Sequence, residues 1–386
     1  MIGQIFQITL LSLRNLPSRL GSSSVIVVGI GGVVGVLVAI LAMAKGFEAS
    51  MSRAGQPDRA IVMRGGSTSE LSSGMGPGEM AVVGSWSEVT AASGELYIVA
   101  DVAKRSNQSL ANLAIRGVEQ DAFEIRPEIS IVEGRSFVTG RTEMIAGRGA
   151  VAEFEGVETG STIELRNSTW TIVGMFEADG SVYESEVWAD LATAQSIFRR
   201  EGGVSSMRVR LASPDAADVL SQRMEDDPRL DLTLTGENEY FKSQSQQLTT
   251  LIETFGYGVA AIMAVGAIFA ALNTMYTAVS ARTVEIATLR ALGFGGMPVV
   301  ASVVIEALLL ALLGGAVGAA VAYFGFNGWT VSTLGGSFSQ VAFDFAVTPE
   351  LLVFGIVWAV GLGLVGGLFP AVRAAGLPIT TALRGE

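Results

Sequence analysis

Four stretches of this chain, 22–44, 251–278, 298–324 and 351–369, are apolar over lengths that can cross a bilayer, since a helix needs about 20 apolar residues to span the hydrocarbon. A backbone in lipid must satisfy its own hydrogen bonds, so each is read as a helix. The first window is too long for the roughly 7–15 apolar residues of a secretory signal core. Lys45 and Phe47 follow it where small cleavage-site residues would stand, and it is read as a retained span.

The spans are unevenly placed. The reading is an interfacial helix at 1–21, a first span at 22–45, an inserted domain at 46–248, a second span at 249–280, a short polar segment at 281–297, a third span at 298–324, a short loop at 325–348, a fourth span at 349–370 and a tail at 371–386. Before the first span, Ile2, Ile5, Phe6, Leu13, Leu16 and Leu20 share a helical face, with Arg14 and Arg19 available to lipid headgroups and Pro17 a breaker.

Short loops set orientation through their basic residues. Arg282 and Arg290 lie in the 281–297 segment and Arg373 and Arg384 in the tail, whereas 325–348 has none. Both termini and the middle segment are expected in the cytoplasm, which puts 46–248 outside it. That insert holds 18 Lys/Arg against 31 Asp/Glu, a net of −13, and the remaining 7 and 6 leave +1. So acidic a domain argues against nucleic acid, whose phosphates require a basic surface.

Within the insert the apolar period becomes two, the mark of half-buried strands. Ile163 and Leu165, a turn at Asn167-Ser168, and Trp170 to Val173 read as a hairpin; Met207, Val209 and Leu211 alternate with Arg208 and Arg210. Ser213-Pro214 then caps a helix carrying Val219, Leu220 and Met224, and Leu230, Leu232 and Leu234 make a second strand. The expected fold is an α-helical membrane protein of four transmembrane helices with a large mixed α/β (α+β) domain between helices 1 and 2. The Gly/Ser-rich stretch 65–78, with Met75 near its tip, is expected to be a loop.

Much chemistry is excluded. The chain has no His and no Cys, and none of its three lysines (45, 104, 242) follows a glycine. His triads, thiol nucleophiles, His/Cys metal sites and a phosphate-binding loop are therefore absent. Glu184/Glu186 and Asp226/Asp227 are expected to be solvated surface in so acidic a domain. No catalytic residue, metal site or bound cofactor is assigned.

Polar groups in the spans carry more meaning, because burying them in lipid is costly. Glu306 lies about 12 Å along its helix from Pro298, and either is protonated, pairs, or reaches interfacial water; Asn273 either contacts another helix or bonds within its own. Gly31/Gly35, Gly314/Gly318 and Gly363/Gly367 have the four-residue spacing that lets helix backbones approach. Between spans two and three, ARTVEIATLRALGFGG puts Arg282 and Glu285 on one helical face and Ile286, Leu289 and Leu292 on another, a helix suited to lying against a partner.

RTVEIATLRALGF, the span start VIEALLLALLGGAVG and the ending GGLFPAVRAAGLPITTALRGE resemble the ABC permeases of the MacB, LolC/LolE and FtsX type, also called type VII. The ending matches at Pro370, Pro378 and Arg384 among others. The resemblance implies a MacB-like core domain at 46–248 and a permease working as a homodimer or heterodimer with a second permease. It also implies cytoplasmic ATPase subunits that bind ATP and Mg and dock on a coupling helix carrying Arg282, Glu285, Leu289, Arg290 and Gly293. ATP-driven closure would move the outer domains and drive export or extraction of a drug, peptide, lipid or lipoprotein, with a periplasmic adaptor in tripartite systems. MacB itself carries a fused ATPase domain, which is not found here, so the ATPase is expected on a separate chain. The alternative is FtsX-like signalling to an extracytoplasmic partner without transport. The expected place is the bacterial inner membrane.

Overall fold

The computed structural model describes residues 20–376 apart from Pro214 and Phe338. The expected N-terminal interfacial helix, including Arg14, Pro17 and Arg19, lies outside the described residues apart from its end, as do Pro378 and Arg384 of the tail and Pro214 of the helix start.

In chain order the first elements are α1 (Leu20–Ala54), β1 (Arg59–Arg64), α2 (Pro77–Gly84), β2 (Val89–Ala103), β3 (Leu110–Val118), α3 (Asp121–Ile125), β4 (Ser130–Gly134) and β5 (Glu143–Gly147). Then come α4 (Arg148–Glu153), β6 (Thr162–Leu165), β7 (Ser168–Glu177), β8 (Glu186–Asp190), α5 (Leu191–Ile197), β9 (Ser206–Leu211), α6 (Ala216–Asp226) and β10 (Leu232–Gly236). The chain finishes with α7 (Glu237–Ser280), α8 (Thr283–Ala291), α9 (Gly296–Phe326), β11 (Thr330–Leu334), β12 (Gln340–Asp344) and α10 (Pro349–Gly376).

Among the described residues two units emerge, one of 20–45, 251–329 and 345–376, the other of 46–250 and 330–344. Among the described residues the first holds four helices long and apolar enough to cross a membrane: α1, α7, α9 and α10. Hydropathy marks where a helix is apolar and not where it ends. α7 has 44 residues, about 66 Å, and begins twelve residues before the expected span; α1 likewise continues to Ala54. α10 keeps Pro370 inside it and runs to Gly376, beyond the expected end at 370.

The second unit is built on a ten-stranded mixed sheet in the order β10-β1-β9-β2-β3-β8-β5-β7-β4, with β6 on β7. β9-α6-β10 forms the expected strand-helix-strand unit, but β1 lies between the two strands, antiparallel to both. The β6–β7 hairpin turns on Arg166 and Asn167, both at positive φ (51° and 61°), which is the two-residue turn whose twist suits paired strands; the turn sits one residue earlier than expected. Apolar side chains such as Trp170, Ile172, Phe154, Val209 and Leu220 fill the core.

Four expectations for this unit fail. Met75 is not an exposed loop tip: it is buried and bridges Val204. Arg208 does not face solvent opposite Val209 but is fully buried, and Glu186 is buried too. The 325–348 segment is more than a loop: β11–β12 is a hairpin grouped with the sheet unit. Within that unit the Tyr97 hydroxyl and Ser339 hydroxyl lie 2.8 Å apart, the Ala342 N–H donates to Ser185 at 2.9 Å and Phe343 meets Phe47 edge-on.

Candidate functional site

The segment joining α7 to α9 breaks the apolar run at Arg282, where the backbone leaves helical geometry. From there the Arg282 side chain turns into the helical unit, and its Nη2 donates to both Glu306 oxygens at 2.5 and 2.6 Å. Arg282 is 11% exposed and Glu306 5%. Of the three readings of Glu306, the geometry is that of an ion pair. A guanidinium suits the place: its charge neutralises the carboxylate through Nη2, and its long stem lets the backbone stay near the helix end. Arg282 is therefore directed inward and is withdrawn from the set of outward contact residues.

α8 itself is short and firmly ended. Gly293 sits at φ 96°, where only glycine is unstrained; its N–H bonds the Arg290 carbonyl and the Phe294 N–H bonds that of Leu289. These two bonds close the helix with orphan carbonyls satisfied. Ile286 and Ala287 are buried, and Leu289 and Phe294 pack on the same core. Leu292 is not on that inner face but 73% exposed, and Val284 is 54% exposed. Outward, α8 thus presents Val284, Glu285, Thr288 and Leu292, with Arg290 half-buried.

The glycine pairs lie at helix crossings. A Cβ on Gly31 would come 3.0 Å from the Gly314 carbonyl oxygen, and one on Gly318 would strike the Gly31 carbonyl, so α1 and α9 touch backbone to backbone. Gly35 faces Gly318 as well. Gly363 and Gly367 of α10 meet Ala311 and Ala307 of α9. Pro370 is buried, and the guanidinium of exposed Arg373 lies 5.4 Å from the Tyr276 ring centre. Asn273 is exposed on α7.

The sequence reading missed a charged core in the sheet unit. Arg116 on β3 grips Glu186 through two 2.7 Å bonds and reaches Glu70 at 2.7 Å and Glu95 at 2.8 Å. Arg208 on β9 bonds Glu70 at 3.2 Å and Glu237 at 2.9 Å; Arg126 pairs with Glu95 and lies over Tyr183. Arg59 joins Glu237, the first residue of α7, at 2.9 Å. Burial alone would raise the Glu70 carboxyl, but Arg116 and Arg208 overcome it and hold the group well below the usual carboxylate range. Burial pushes the Tyr183 hydroxyl up to about 12. Every carboxylate in this core faces a guanidinium, so the arrangement binds strands together and offers no free acid or base. One signal was available: Arg116 sits in a strand whose neighbours are almost all apolar or small.

Two family models match the chain: a MacB-like periplasmic core domain over residues 23–227, more than half its length, and an FtsX-like permease C-terminal domain over residues 257–379. An ABC transporter permease of Methanocaldococcus jannaschii is 23% identical over 239 residues, covering 60% of this chain and 58% of the relative. The macrolide export ATP-binding/permease protein MacB of Campylobacter fetus is 26% identical over 298 residues, covering 71% of this chain and 44% of its own length. The ABC transporter permease YvrN of Bacillus subtilis is 24% identical over 306 residues, covering 70% of each. The chain thus spans about half the length of the first two relatives. Among solved structures, the periplasmic region of MacB from Actinobacillus actinomycetemcomitans overlaps 48% of this chain and 92% of its own, with a TM-score of 0.38 and 11% identity. With four membrane-length helices, a mixed-sheet insert after the first and both family matches in the expected order, this chain belongs to the MacB/FtsX family of ABC transporter permeases.

Proposed function

We propose that this chain is the permease subunit of an ABC transporter in the cytoplasmic (inner) membrane, with both termini cytoplasmic. It works paired with a second permease subunit and with a separate ATPase chain that holds ATP and Mg. The ATPase seats on the outward face of α8, and its cycle moves the inserted domain to export or extract a substrate. The observation that carries this reading is α8 itself: a helix closed at its end by Gly293, with Val284, Glu285, Thr288 and Leu292 facing outward, and with Arg282 at its start fastened to Glu306 of α9. A load on α8 is passed through that ion pair to a spanning helix. α1 and α7 continue without a break well beyond their apolar windows, a form suited to carrying displacement along the helix axis.

The test is co-purification and ATP hydrolysis of the reconstituted complex with Leu292→Glu and Glu285→Arg. Leu292 is so exposed that its replacement leaves the permease folded. A mispaired charge in a buried contact costs roughly 2–5 kcal/mol, so Leu292→Glu is expected to weaken ATPase capture at least tenfold. Unchanged capture and unchanged coupled hydrolysis in both variants would remove α8 from the interface.

A further inference from the structure

Toward their C-terminal ends α7 and α10 touch closely: a Cβ on Gly366 would come 2.7 Å from the Ala271 side chain. Beside that contact runs a seam of exposed apolar side chains, Val265 and Phe269 of α7 with Val365 and Phe369 of α10. The stripe on α10 continues by four residues to exposed Arg373, and that on α7 by seven to Tyr276. The two stripes end together, the guanidinium lying 5.4 Å from the ring centre. The ring attracts the cation through its face and occupies none of its N–H groups. Among the described residues Arg373 makes no ion pair and no hydrogen bond, and the Tyr276 hydroxyl makes no hydrogen bond. No acid of either helix can reach them. The nearest carboxylates along α7 and α10 are Glu253 and Glu350, each 23 positions back, about 34 Å along a helix.

We propose that Arg373 and Tyr276 bind the phosphate of an anionic phospholipid in the cytoplasmic leaflet, with one of its acyl chains lying along the α7–α10 seam. The leaflet rests on the orientation given above; the headgroup preference does not. Arg373 stands four residues past the apolar stretch 351–369, about 6 Å along the helix, which is the depth of a headgroup phosphate. Its planar fork matches two phosphate oxygens, and the phenol O–H supplies a further donor. An apolar seam that ends in a cation repeats the order of the lipid itself, chain first and phosphate after. A soluble phosphate would use the cation and leave the seam uncovered. Basic pockets between helices on this side of a membrane suit such headgroups, because the cytoplasmic leaflet is the negatively charged one.

The probe is dioleoylphosphatidylglycerol, compared with dioleoylphosphatidylcholine, each added to the full chain in neutral detergent and counted as bound molecules by native mass measurement. The anionic lipid is expected to be retained about fivefold better. Arg373→Gln should lower its retention about threefold to tenfold, whereas Arg200→Gln, an exposed arginine of the sheet unit, should leave it unchanged. Tyr276→Leu removes the ring beside the guanidinium and should lose more retention than Tyr276→Phe, which removes only the hydroxyl. Equal retention of the two lipids, or full retention in Arg373→Gln with or without a loss of ATPase capture, would overturn the proposal. Displacement of the bound lipid by millimolar inorganic phosphate would overturn it too, by making the site one for a soluble anion. The leaflet is read with Gly376→Cys, since the chain has no cysteine of its own: an impermeant thiol reagent should label it only after the cells are opened. Labelling in intact cells would overturn the leaflet and the orientation together, whereas loss of headgroup preference alone would end the lipid site and leave the permease reading standing.

Discussion

The two units bury charge in different ways. In the sheet unit, Glu70, Glu95, Glu186 and Glu237 interlock with Arg59, Arg116, Arg126 and Arg208, all at most 4% exposed. Each member has several partners: Arg116 alone reaches three carboxylates. In the helical unit Glu306 pairs with Arg282, which keeps some contact with its surroundings. A sheet core closed on all sides must neutralise charge from several strands at once. At the end of a spanning helix one long side chain can do it, because its base stays near water.

The largest expected effect follows from breaking the network. Arg116→Met leaves Glu70, Glu95 and Glu186 facing a neutral side chain, and removing one member of a buried ion set costs about 3–5 kcal/mol. Denaturant unfolding of the full chain in detergent, read by proteolysis within 46–248, should show the loss. A change below about 1 kcal/mol would mean that the remaining guanidinium groups redistribute, and the contrast with the single pair would collapse.

Glu306→Leu should cost less, about 1–3 kcal/mol, because the freed Arg282 can swing toward the interface. Arg282→Met combined with Glu306→Leu should recover part of the loss in complex yield, since the double change leaves no orphaned charge. If Glu306→Leu proved as costly as Arg116→Met, Arg282 would be as trapped as the buried arginines.

The smallest effect is that of mild acid. Glu70 has its carboxyl lowered from 4.5 in the folded protein, so its contribution is fully present above about pH 4.5 and is lost as pH falls toward the depressed value. From pH 7 to 5 the sheet unit should hold its stability, and by pH 4 this one group should have given up about 1 kcal/mol. Loss already complete at pH 6 would show that Glu70 is not held ionised by Arg116 and Arg208.

Much of the membrane half was legible because its signals are local. Apolar length marks a span, and glycines four apart mark a crossing face, although only the structure pairs 31/35 with 314/318 and 363/367 with Ala307 and Ala311. The sheet half was harder to read. Period-two alternation in β9 was real, yet it implied a solvated Arg208, because alternation distinguishes the faces of a strand without saying what covers the second face. Glu186 was misread on a different ground: the net acidity of a domain does not say which of its carboxylates is buried against a guanidinium.

The sequence by itself determined how many helices are long and apolar enough to span, where the polar insert lies, that the 281–297 segment departs from the apolar pattern, and which chemistries the residue set lacks. Only the tertiary structure decided that Arg282 pairs with Glu306 and not outward, that Leu292 faces away from the bundle, that 330–344 joins the sheet unit, and that Arg116 and Arg208 are buried. The reason is range. Span length and glycine spacing are fixed by neighbours along one helix, whereas Arg116 finds Glu186 seventy positions away and Arg208 finds Glu70 at 138, partners that exist only once the strands between them have been ordered.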